Sequence, residues 1–156
     1  MTLQNILIVA ALGASGSWLT GAILKRIHRR YVDPLQFPNK ELAVHVRQTR
    51  IVSMDCAPDK AILSARDAVL SLPKTKVVRM AGRTLEARTG LSMRTFGENI
   101  VITAEPAGQT TRLSIESTPR YAGTTMDHGK SYENVERIFA DLARMHAATL
   151  TSASAK

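Results

Sequence analysis

The spacing of apolar positions changes character along the chain. From Leu3 to Leu24, LQNILIVAALGASGSWLTGAIL, apolar and small residues run without a charge. As a helix at about 1.5 Å per residue this run covers roughly 33 Å, the thickness of a bilayer's hydrocarbon core. Residues 1–30 are therefore expected to form a single transmembrane helix with a basic flank. A cleaved signal peptide and an interfacial helix compete with this anchor. The first wants a basic residue before the apolar run, where MTLQN has none, although Ala14 and Gly16 would flank a cleavage site. The second wants a charged face, which the run lacks.

Beyond Pro34 and Pro38, each lacking a backbone donor and biasing its predecessor away from helix, the pattern turns to that of a folded domain. Residues 31–40 read as a linker and 41–148 as a soluble α+β domain. LAVHVRQTRIVSMD is β-branched and predicts a strand, with His45 on its face. PDKAILSARDAVLSLP predicts a helix, with Pro58 in its first turn, Pro73 closing it, and Ile62, Ala65, Val69 and Leu72 on one face. TKVVRMA, RTLEART, LSMRTF, NIVITAE and TRLSIES then predict consecutive strands, cut by Gly82, Gly90, the Gly97–Asn99 turn and PAGQ. Connections this short favour an antiparallel meander. A second helix follows, with Tyr132, Val135, Ile138, Phe139, Leu142 and Met145 forming its apolar stripe and Glu133, Glu136, Arg137, Asp141 and Arg144 on the remainder. The tail, residues 149–156, is expected to be flexible. The fold class is α+β: an N-terminal transmembrane helix, then a curved antiparallel sheet packed by two helices.

Charge refines this picture. The chain carries a net charge of +8, and Lys25, Arg26, Arg29 and Arg30 supply half of it within six residues. Placed just after the apolar run, this cluster predicts a single-pass membrane protein with its C-terminal domain in the cytoplasm, the basic side chains lying against anionic lipid headgroups. Gly13, Ser17 and Gly21 recur every four residues and give the run a small-residue face on which a second helix packs closely, either a membrane protein partner or another copy. Nucleic acid is not an expected partner: outside 25–30 there is no basic run, and seven aromatics are few for base stacking.

Candidate chemistry is sparse. Cys56 is the single cysteine, so neither an internal disulfide nor a thiolate metal cluster forms within one chain. No metal-ligand spacing, phosphate-binding glycine loop or nucleophile motif occurs, so no cofactor, metal or catalytic residue is assigned. The segment TTMDHGKSYENVERIF gathers Asp127, His128 and Lys130. General acid or base work there needs a cleft and a supporting partner. The simpler reading is a helix start, with Asp127 or Ser131 capping amides and Gly129 permitting a sharp turn.

The segments MRTFGENIVITAE, TRLSIES and DHGKSYENVERI resemble those of small bacterial proteins with a shortened START-like, or helix-grip, domain. The resemblance covers roughly residues 44–146. It implies a sheet wrapped against a long C-terminal helix, an arrangement that encloses a hydrophobic ligand in larger relatives, and it transfers no catalytic pattern. The leading functional expectation is a non-enzymatic membrane-anchored accessory or interaction protein. The alternative is a lipid or hydrophobic small-molecule binding module, with Ile100, Ile102, Leu113 and Ile115 facing Val135, Phe139 and Leu142 as either ligand wall or dry core.

Overall fold

A computed structural model describes residues 22–146 and the backbone of 151–153. Helix α1 occupies 22–32 and is followed by a short 3-10 turn, Lys40–Val44. Then come β1 (Gln48–Met54), α2 (Pro58–Leu70), β2 (Thr75–Ala81), β3 (Thr84–Thr89), β4 (Glu98–Ala107), β5 (Thr110–Pro119), α3 (Lys130–Met145) and β6 (Thr151–Ala153). Among the described residues no helix is long and apolar enough to cross a membrane. The run expected to do so lies outside them except for its last three residues, as do Gly13, Ser17 and Gly21.

The strands form one antiparallel sheet in the order β2-β3-β4-β5-β1-β6. Strands β2 to β5 are the expected meander, while β1, first in the chain, pairs with β5 after the rest of the sheet has intervened. Alternation decides which face is covered. Ile100, Ile102 and Ala104 of β4, Leu113 and Ile115 of β5 and Val52 and Met54 of β1 are buried, and the register sets Ile102 opposite Ile115 and Val52 opposite Leu113. Their neighbours Val101, Thr103, Ser114 and Glu116 lie on the half-exposed face. Helices α2 and α3 cover the apolar side, α2 through Ala61, Ile62, Ala65, Ala68 and Val69. At roughly 25 cal/mol per Å² of apolar surface, this shared burial is the main force holding helices to sheet.

Three local expectations are corrected. The first strand begins at Gln48, not at Leu42. Residues 40–44 coil into the 3-10 turn, which Gln48 closes by donating from Nε2 to the carbonyls of Leu42 (2.6 Å) and His45 (2.7 Å). His45 is consequently an exposed residue at the end of that turn and not a strand side chain. LSMRTF is a loop: the Ser92 hydroxyl accepts from the amides of Arg94 and Thr95, and Gly97 (φ +96°) breaks the extended run. A side chain at Gly97 would meet the Thr89 carbonyl at 2.5 Å, so the loop must end in glycine. Residues 151–153 form β6, pairing Ile51 with Ala153.

The stretch 31–40 is seated on the domain. Val32, Ala43 and Tyr132 form a second small core, with Leu35 and Phe37 against it, and the Tyr132 hydroxyl donates to the Pro38 carbonyl. Helix α1 is thereby fastened to the start of α3.

Candidate interaction end of the domain

The loop before β4, the loop before α3, and α1 converge at one end of the sheet. Asp127, buried, accepts from the backbone amides of Gly129 (3.0 Å) and Ser131 (2.8 Å), which fixes the start of α3. Gly129 adopts φ +73°, and a Cβ there would sit 2.8 Å from the Val32 side chain. The expected helix start is thus realised by Asp127 and Gly129 together.

The first two turns of α3 are buried on nearly every side. Lys130, Ser131, Glu133, Asn134 and Glu136 are all buried, so Glu133 and Glu136, expected only to lie outside the apolar stripe, are covered as well. Each of these two carboxylates has a basic partner from elsewhere in the chain. Arg50 of β1 pairs with Glu136 and lies 3.8 Å over the Phe139 ring. Arg94 of the β3–β4 loop pairs with Glu133, which also meets Lys130 (3.5 Å) and Arg137 (2.8 Å). Burial alone pushes the Glu133 carboxyl up, but the Arg94 hydrogen bond and the charges of Lys130, Arg94 and Arg137 outweigh it and hold the group below its ordinary range. Burial pulls the Lys130 ammonium down, an effect that Glu133 partly opposes.

Beneath this cluster lies Glu98, wholly buried at the first position of β4. It accepts from the hydroxyls of Thr89 and Thr95 and from Asn134 Nδ2 (3.3 Å), and its own amide donates to Thr89 Oγ1 (2.8 Å). Asn134 Nδ2 also reaches Ser117 Oγ at 3.4 Å. The network ties α3, β3, β4 and the loop between the two strands to one buried carboxylate, and Asn134 Oδ1 within it is buried without a partner among the described residues. Sequence reasoning assigned Glu98 to a strand breaker and missed this role. Its one sequence signal is the pair of threonines, Thr89 just before this loop and Thr95 within it.

Asp127, His128 and Lys130 each have separate neighbours. Asp127 is engaged by backbone amides and Lys130 by Glu133. The His128 ring faces His28 (6.3 Å between centroids) and Tyr31 (6.0 Å). Burial, then the His28 charge, pull the His128 imidazole below its usual range. Among the described residues no three His, Cys, Asp or Glu side chains gather as a metal site. Lys25, Arg26, Arg29 and Arg30 all lie exposed on α1. Ile100, Ile102, Leu113, Ile115, Val135 and Leu142 are core residues at most 2% exposed, and Phe139 packs partly buried beside them.

No protein-family model matches the sequence, and no curated protein matches it. Among solved structures, the protein TTHA0849 from Thermus thermophilus aligns with 67% of this chain and 99% of its own, at 15% identity and a TM-score of 0.35. Similarity at that level carries no statement about function.

Proposed function

We propose that this chain is a non-enzymatic accessory or interaction protein held at a membrane, its folded domain on the cytoplasmic side. The observation carrying the proposal is the attachment of α1. The helix that includes the last three residues of the uncharged run and bears Lys25, Arg26, Arg29 and Arg30 is fixed to the domain through Val32, and its His28 and Tyr31 rings lie beside His128. A basic cluster locked to a folded body holds that body at a set orientation over anionic headgroups. The small-residue face of Gly13, Ser17 and Gly21 supplies the surface for a membrane protein partner or a second copy.

A second reading, a START-like module binding a lipid or hydrophobic small molecule, is favoured by an antiparallel sheet packed on a long C-terminal helix. Against it, the side chains that would line the ligand site fill the space with one another. A mild-detergent pull-down of the full chain beside Gly13→Leu/Gly21→Leu, with proteins and lipids both identified by mass spectrometry, tests the two. A stoichiometric membrane partner lost in the variant supports the accessory role. A copurifying lipid with no protein partner replaces it with the second reading.

A further inference from the structure

The loop 90–97 is folded inside out for a surface loop. Its polar side chains Arg94 and Thr95 point inward to Glu133 and Glu98, while Leu91 (64% exposed), Met93 (93%) and Phe96 (71%) face solvent. This is built geometry rather than slack chain. The Ser92 turn, the Arg94 pair, the Thr95 hydroxyl and Gly97 each fix part of the loop. From the neighbouring loop Tyr121, 64% exposed, packs edge-on against Phe96 at 6.5 Å. Leu91, Phe96, Arg120 and Tyr121 surround an open hollow of about 770 Å³.

The charge around this patch has one sign. Residues 90–97 and 120–126 contain no acid, and with Arg94 paired inward to Glu133 the exposed cations beside the patch are Arg120 and Lys74. Lys74, exposed, reaches the Leu91 carbonyl at 3.4 Å. The Arg94 guanidinium also lies 5.3 Å from the Tyr31 ring, so α1 with its four basic residues adjoins the loops directly. Apolar and aromatic side chains rimmed by cations are the composition of a surface that sits at the headgroup boundary. A second copy of a chain with net charge +8 is repelled by the same rim.

We propose that Leu91, Met93, Phe96 and Tyr121 enter the interface of an anionic bilayer, giving the domain a membrane contact separate from the N-terminal run. The inference rests on the membrane location proposed above and adds which end of the domain faces the lipid. The hairpin at Gly108 and Gln109 closes the opposite end of β4 and β5 and should stay in water.

The test uses the full chain with Cys56→Ser and a single new cysteine, Phe96→Cys, Met93→Cys or Gln109→Cys, labelled with an environment-sensitive nitrobenzoxadiazole probe. Each is reconstituted into vesicles of equal parts phosphatidylcholine and phosphatidylglycerol, floated, and quenched with lipid-borne spin labels. The three cysteine positions are exposed, so labelling leaves the core intact. The expected result is flotation, with blue-shifted emission at 93 and 96 and lipid quenching on the order of fivefold stronger there than at 109. Flotation with all three probes in water overturns this contact and leaves the membrane location standing. Failure to float overturns both. A blue shift at 96 without lipid quenching means that protein covers the patch, and it also overturns the contact.

Discussion

Glu133→Gln removes the carboxylate that pairs with both Arg94 and Lys130 at the start of α3. The two cationic side chains are 13% and 10% exposed and Glu133 is 7% exposed, so water screens little of the interaction. Removing one partner from a buried ion cluster costs about 3–5 kcal/mol, chiefly because uncompensated charge stays buried. Glutamine keeps an oxygen for Arg94, which places the expectation at the lower end, about 3 kcal/mol. Arg137, half exposed, adds little to that figure. At about 4 °C per kcal/mol for a domain of this size, the melting temperature should fall by roughly 12 °C. Thermal unfolding of the full chain in mild detergent, followed by circular dichroism, measures it. The pH dependence gives a second reading. Because Glu133 is held below its ordinary range in the folded state, its stabilisation is complete above the unfolded carboxyl value and is lost as pH falls through the folded one. The gap between wild type and variant should therefore close in acid. A loss under about 1 kcal/mol, or a gap independent of pH, would refute the claim that this cluster is buried and mutually dependent.

Lys130→Met should cost less than Glu133→Gln, since burial already disfavours the ammonium, and the double variant should be less destabilised than the sum of the two; urea titration of all three decides it. Gly129→Ala should destabilise by about 2 kcal/mol, because φ is positive and the new Cβ meets Val32 at 2.8 Å; an effect near zero in thermal melts would contradict the geometry. Tyr132→Phe should cost about 1 kcal/mol and speed amide exchange across residues 31–40, the segment that the hydroxyl ties through the Pro38 carbonyl. Burial, then the Glu136 charge, push the Tyr132 phenol up to about 12, so its contribution persists below the ordinary tyrosine value and is lost as pH rises through about 12. Ultraviolet titration should show one tyrosine ionising late, and that late step should vanish in Tyr132→Phe.

Periodicity carried the reading of the sequence wherever burial follows a simple repeat. Ile100, Ile102, Leu113 and Ile115 alternate because one face of the sheet is covered, and Val135, Ile138 and Leu142 recur because α3 lies on that face. Asp127 and Gly129 were legible as a helix start because capping is a local interaction. The failures share a different cause. Glu133 and Glu136 read only as part of the helix remainder outside the apolar stripe until Arg50 and Arg94 arrive from positions 86 and 39 residues away from their carboxylate partners. LSMRTF alternates well enough for a strand, yet its Ser92 hydroxyl competes for the backbone amides and turns the chain. That misreading hid the candidate site, because the exposure of Met93 and Phe96 follows from Arg94 and Thr95 being drawn inward. Residue-type spacing does not report such long-range pairing, and it left Glu98 looking like part of a turn.

The central claim, a folded domain held at the cytoplasmic membrane face, is tested most directly on membranes from cells making the full chain. They are washed with alkaline carbonate, and protease is applied separately to sealed vesicles of either orientation. The account predicts that the chain stays with the washed membranes and that its domain is cleaved only when the cytoplasmic face is outward. Release by carbonate, or cleavage from the external face, would contradict it.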